Sequence, residues 1–243
     1  YMNIPVAHLG AGERTRVNID GIIRHGVTKL SSIFFCSTKE NAKRVLRLGE
    51  ESSRIFTVGH TVADRYKNIK SLPKLYLSKY FNLDIKKEPL LIFIQHPVSN
   101  WLQKTKKHFK ISLSAINDLN LSTIIIKSNS DPGNVIMRSE YNKFNFLNKK
   151  VRYYENIPEK IFINIMRNAS VLVGNSSMGV LEAPLLKLPV VNIGLRQKDR
   201  QNAGNILFVR HNKKKIIKDI KKSLYNKKYL KKIKRFKNPY GFT

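Results

Sequence analysis

The stretch Gly174-Asn-Ser-Ser-Met-Gly-Val-Leu-Glu-Ala-Pro184 combines residue types that together can hold a phosphorylated ligand. Asn175, Ser176 and Ser177 follow the apolar run 169–173 and open a helical stretch. Backbone N–H groups at such a helix start, with the two hydroxyls, can face an anion. Glu182 falls about two turns further on, where a carboxylate can accept both hydroxyls of a ribose. A second apolar run, 189–193, follows. A short buried strand, a polar turn and a helix carrying one carboxylate read as a nucleotide site.

Other segments carry polar groups at the ends of apolar runs. His96, in Gln95-His-Pro97, follows the run 90–94 and so occupies the carboxyl end of a strand, where open α/β sheets bind ligands. A histidine hydrogen-bonded into a turn fits the same placement. Asn129 and Asp131 lie in Ser128-Asn-Ser-Asp-Pro-Gly-Asn134 after the next strand, and are also ordinary turn residues. His8-Leu-Gly-Ala-Gly-Glu-Arg-Thr15 ends the first strand, and its glycines let the backbone approach a ligand. Glu13, with Asp20 near the start of the next helix, can act as an acid/base pair. Asp20 is equally a first-turn carboxylate favoured by the helix dipole. Arg24 and His25 lie one turn on. Arg196 or Arg200 can bind phosphate, and either also fits a plain surface position.

The elements that must position these groups alternate along the chain. Strands are expected at 4–8, 33–37, 54–58, 90–94, 124–126, 171–173 and 190–193. A helix capped by Asn18 covers 18–30, and another over 40–48 stops at Gly49. Residues 67–87 are polar, basic and interrupted by Pro73, which suggests a linker with some helical content. The pattern predicts an α/β doubly wound architecture with a break near 70–88, dividing the chain into lobes 1–75 and 76–243.

Composition narrows the class. The formal charge is +30, which invites a nucleic-acid reading. The C-terminal run 213–237 holds thirteen Lys/Arg against the single acid Asp219, yet Ile216, Ile217, Ile220 and Leu224 recur in it at helical spacing. The lysines are then the solvated face of an amphipathic helix. With no aromatic stacking stripe and no zinc spacing, we expect no nucleic-acid partner. No run has membrane-spanning length, and no signal peptide is recognised, so a cytoplasmic protein is expected. The single cysteine, Cys36, sits in an apolar run and reads as a buried core thiol.

Taken in order, Ile4-Pro-Val-Ala-His8, Ile19-Asp-Gly-Ile-Ile-Arg-His25, Thr28-Lys-Leu-Ser31, Gln95-His-Pro97, Asn129-Ser-Asp-Pro-Gly133, Gly174-Asn-Ser-Ser177, Glu182-Ala-Pro184, Pro189-Val-Val-Asn-Ile-Gly194 and Arg196-Gln197 form a colinear set. With this set the chain resembles the hydrolysing UDP-N-acetylglucosamine 2-epimerases of the sialic-acid and nonulosonate pathways. The resemblance implies two Rossmann-like lobes arranged as in GT-B glycosyltransferases, with a UDP-sugar in the cleft. It places Ser176 and Ser177 on the diphosphate, Glu182 on the uridine ribose and Arg196 near the phosphates. Asn129 and Asp131 join the UDP site, and His96, Asp20 and Glu13 become catalytic. The implied reaction removes the C2 proton, eliminates UDP through a glycal and adds water to give N-acetylmannosamine. It implies no metal or redox cofactor and suggests homodimers.

Two departures qualify the resemblance. Gly10 stands where many relatives carry glutamate or histidine, which removes one acid/base group. By family length, roughly the first hundred residues and a last helix are expected to lie outside this sequence, leaving the N-terminal lobe incomplete. An incomplete sheet predicts an open strand edge with exposed apolar surface, and so poor solubility or pairing with another chain. The competing readings are a non-catalytic UDP-sugar-binding remnant and a GT-B glycosyltransferase using the same cradle.

Overall fold

The structure, a computed structural model, describes residues 4–14, 20–98, 101–128 and 130–241. Asn129 and the helix cap expected at Asn18 lie outside them. Two parallel sheets organise the chain. The first has three strands, β1 (Ala7–Leu9), β2 (Ile33–Cys36) and β3 (Ile55–Thr57), in that spatial order. Helices α1 (Asp20–Lys29) and α2 (Lys39–Arg47) connect them. The first strand starts later than expected, since Pro5 has no N–H to give a ladder. Thr38 caps α2 by accepting from the N–H of Asn41 at 3.1 Å, and Gly49 just past its end takes φ +87°.

The core of this lobe is small: Ala11, Phe34, Cys36 and Val45 are its buried members. Cys36 is free and buried, and burial pushes its thiol up to about 11. The lobe leaves Ile4, Leu9, Ile22, Ile23, Leu30 and Val58 more than half exposed. Among the described residues β1 pairs only with β2, so its outer edge is open.

The second sheet has six strands: β4 (Leu90–Ile94), β5 (Ser122–Ile126), β6 (Val151–Tyr154), β7 (Val171–Gly174), β8 (Val190–Ile193) and β9 (Ile206–Val209). Their order, β6-β5-β4-β7-β8-β9, is that of a doubly wound dinucleotide-binding sheet, with the switch point between β4 and β7. Every residue of β4 and β7 is buried, which explains their uninterrupted apolar sequence. One layer packs α5 (Leu102–Leu119), α6 (Asn134–Lys143) and α9 (Lys213–Tyr225) on one face. The other packs α3 (Val62–Asn68), α4 (Lys74–Phe81) and α7 (Glu159–Asn168) on the opposite face.

The segment 67–87, expected as a linker with some helical content, holds the end of α3 and the whole of α4. Its lysines face out, while Leu77, Phe81, Leu83 and Ile85 pack with Leu90 and Ile92. Val62 and Tyr66 join the same core, and Asn164 of α7 fastens the connection by bonding Leu72 N at 2.8 Å and Lys70 O at 3.1 Å. In α9, Ile216 and Ile220 are fully buried and Ile217 and Leu224 pack against the same core, as the amphipathic reading required. Past α10 (Lys227–Arg235) the chain crosses back to the first lobe, where Tyr240 O accepts from His60 N at 2.8 Å.

Candidate functional site

Gly174 ends β7 at φ +130°, and a Cβ there would lie 1.9 Å from Ile94 O. Only glycine allows β7 to run this close to the end of β4. Asn175 follows and locks the junction: its Oδ1 accepts from His96 N at 2.6 Å and its Nδ2 donates to His96 O at 2.8 Å. The turn of Ser176 and Ser177 is therefore held rigidly at the switch point.

The helix expected to carry Glu182 is shorter than the sequence suggests. It is a four-residue turn, α8 (Met178–Leu181), passing into a 3₁₀ turn at Ala183–Leu186 with Pro184 in its first positions. Proline cannot donate inside a helix, so the geometry tightens there. Glu182 lies at the joint. It accepts from the Tyr66 hydroxyl at 2.7 Å, and burial raises its pKa against the lowering effects of Tyr66 and Arg65. Burial first, and then Glu182, push the Tyr66 phenol well above its ordinary range.

Arg196 backs the turn. Its Nη1 donates to Asn175 O at 3.2 Å, and Asp131 is its nearest acid at 3.9 Å. Its Nε is buried with no partner among the described residues. Burial lowers its pKa, while Asp131 and then Asp20 oppose this. The largely buried guanidinium is thus under-compensated behind the turn of Ser176 and Ser177, an arrangement suited to an anion.

Between the lobes lies a cavity of about 510 Å³, lined by Glu13, Arg24, His60, Ser177 and Arg200 among others. Glu13, at its wall, is 5% exposed and ringed by polar groups. Arg200 approaches it at 3.1 Å, Ser37 Oγ donates at 3.1 Å, Arg24 lies at 3.5 Å and His60 Nε2 at 3.9 Å. Burial lowers the pKa of His60 more than Glu13 raises it. Gly10 also lines the cavity, and a Cβ there would point toward Arg24 Nη1 at 3.6 Å and the Glu13 carboxyl at 3.9 Å.

The structure gathers Glu13 and Ser177 at this cavity. Asp20, exposed at the start of α1, is not among the residues lining the cavity and acts instead on the charge of Arg196. His96 stands apart from the cavity and borders a small void with Trp101, Thr105 and His211. Tyr66, His60 and Ser37 were missed in the sequence; no motif flags them, and each acts through a partner from a distant segment.

The match to known proteins extends along this whole arrangement. The family model for UDP-N-acetylglucosamine 2-epimerase matches residues 1–242. The chain belongs to the UDP-N-acetylglucosamine 2-epimerase family.

Among relatives of this chain, the hydrolysing GDP/UDP-N,N'-diacetylbacillosamine 2-epimerase of Campylobacter jejuni is 35% identical over 208 residues, 85% of this chain and 54% of that protein. Polysialic acid biosynthesis protein P7 of Escherichia coli is 32% identical, across 98% of this chain and 60% of its own length. The chain therefore spans little more than half the length of the curated relatives it matches. The UDP-GlcNAc 2-epimerase of Neisseria meningitidis, solved with UDP-GlcNAc bound, shares the fold with a TM-score of 0.78 at 21% identity, covering 99% of this chain and 67% of that one. The epimerase fold is thus the expected α/β architecture with parallel sheets, GT-B-like in its relatives. Among the described residues, no helix is long and apolar enough to cross a membrane.

Proposed function

We propose that this chain carries the UDP-holding part of a hydrolysing UDP-sugar 2-epimerase. The observation that carries the reading is the buried Arg196 guanidinium, with an unpartnered Nε, behind the turn locked at the switch point. In this reading Ser176, Ser177 and Arg196 take the diphosphate, Asn129 and Asp131 complete the UDP site, and Glu182 takes the ribose hydroxyls. Glu13, Asp20 and His96 supply acid/base chemistry. A base removes the C2 proton, the C1–O bond to UDP breaks to leave a glycal, and water adds its hydroxyl to C1 and its proton to the opposite face of C2. The products are the free 2-epimeric sugar, N-acetylmannosamine from UDP-N-acetylglucosamine, and UDP. The chemistry uses no metal or redox cofactor.

The substrate class is a UDP-linked 2-acetamido or 2,4-diacetamido sugar, the second supported by the diacetamido substrate for which the Campylobacter jejuni relative is named. The setting proposed is a cytoplasmic homodimer, without a nucleic-acid or membrane partner, feeding sialic-acid-type sugar synthesis.

One observation favours a second reading, a non-catalytic UDP-sugar-binding protein. Gly10 offers no acid, and Glu13 is held between Arg200 and Arg24. Incubation with each UDP-sugar in heavy water separates the two. UDP binding with slow or no sugar release is expected. Rapid release of UDP with deuterium at C2 makes the chain a full catalyst, and absence of UDP binding defeats both readings. Transfer of sugar to an added acceptor without deuterium uptake marks a GT-B glycosyltransferase instead.

A further inference from the structure

Glu13 and Arg200 are 187 residues apart in sequence, yet their side chains, 5% and 7% exposed, meet at 3.1 Å across the two lobes. The other arm of the same guanidinium, Nη1, donates to Gln197 Oε1 at 3.1 Å. Gln197 Nε2 donates in turn to Asn175 O at 3.0 Å, and Asn175 grips the His96 backbone from both sides. An unbroken series of polar contacts thus runs from the acid wall of the cleft to the phosphate turn. Within such a buried series a partner can be lost only if another polar group replaces it, because an unpaired buried charge is strongly disfavoured.

The two ends of the ion pair are not equivalent. Glu13 also has Arg24, Ser37 and His60 around it. Arg200 has Glu13 as its one acid within ion-pair distance among the described residues. Arg200 also borders the same cavity as Ser177. An anion arriving beside Ser177 therefore offers Arg200 a second counter-charge, while Glu13 keeps a cation without it.

We propose that Arg200 is a positioning residue that exchanges between Glu13 when the cleft is empty and the ligand's diphosphate when the cradle is filled, with Gln197 holding it within reach of both. This rests on the reading that the turn at 175–177 takes a diphosphate. Ligand entry then frees a carboxylate oxygen of Glu13 and changes the contact between the lobes, so the acid is released only when there is a substrate to act on. A planar guanidinium suits this, since its fork can bond Gln197 and a second partner at once, and an ammonium group cannot do so in the same geometry.

Hydrogen–deuterium exchange on the full chain, with and without saturating UDP, tests the exchange of partners. In the unaltered protein UDP is expected to protect 175–181 and to alter exchange at 8–13. In Arg200→Lys, which keeps a cation beside Glu13 and so protects the fold, protection at 175–181 is expected to persist while the response at 8–13 falls at least about threefold, because an ammonium group cannot hold Gln197 and a second partner in the same geometry. Protection at 175–181 without any response at 8–13, or an equal response in Arg200→Lys, overturns the proposal and leaves the UDP site intact. No protection at 175–181 in the unaltered protein defeats the UDP reading, and the proposal falls with it.

Discussion

The Tyr66 hydroxyl donates to Glu182 Oε2 at 2.7 Å, joining α3 to the joint between α8 and the 3₁₀ turn. The carboxylate proposed for the ribose is therefore already oriented by a phenol from the segment that links the lobes. Tyr66→Phe removes that bond from a charged acceptor, a loss of about 1–2 kcal/mol in stability. It also removes an effect that lowers the Glu182 pKa, so the pH below which UDP affinity declines moves up. Urea unfolding and calorimetric UDP titration between pH 5 and 8 check both expectations.

Glu182→Gln separates stability from binding. The folded-state pKa of Glu182 is raised, chiefly by burial. Its favourable share of stability is thus complete below the unfolded-state value and is lost as pH rises through the folded one. The glutamine variant should melt higher than the parent at neutral pH, with the difference shrinking toward pH 4.5, while its UDP affinity falls. Melting curves across pH that run parallel for both proteins contradict this.

His108 and His211 stack face to face with centroids 3.6 Å apart and an interplanar angle of 7°. Burial, then His108, hold His211 down at about 4. The depressed value means its contribution to stability is present above the unfolded-state 6.5 and is lost as pH falls toward 4. His211→Gln should flatten the decline in melting temperature over that window; an unchanged pH slope argues against it.

Arg196→Ala should weaken UDP binding on the order of tenfold to a hundredfold, the range for losing a charge-assisted hydrogen bond in a desolvated site. Removal of a buried and under-compensated cation should leave the melting temperature of the empty protein unchanged or higher. A lower melting temperature with unchanged UDP affinity would assign Arg196 to structure alone.

Two glycines with positive φ should differ sharply on substitution by alanine. At Gly174 the new Cβ meets backbone at 1.9 Å, and the cost should be about 3 kcal/mol or more. At Gly10, with φ +78°, the nearest atom is 3.6 Å away, so the cost is the backbone conformation, about 1 kcal/mol. Chemical denaturation of the two variants measures the gap.

Much of the second lobe was legible because its elements announce themselves locally. Leu90–Ile94 is buried on both faces and so reads as a continuous apolar run. The edge strands Val151–Tyr154 and Ile206–Val209 escaped notice because they are only partly buried and their patterns break. Helix α4 was read only as helical content in a linker because its lysines mask the buried positions Leu77 and Phe81.

The strand end, polar turn and carboxylate of 174–182 were legible in the sequence because they are contiguous, whereas the shortness of the helix before Glu182 was not. The contacts around this segment were decided by the tertiary structure. Glu13 finds Arg200, Arg24, Ser37 and His60, and Glu182 finds Tyr66, only once two sheets and their connecting helices have packed. Periodicity constrains neighbours a few residues apart. It carries no information on which buried charge will face which across a cleft, and that pairing governs whether these acids are held or free.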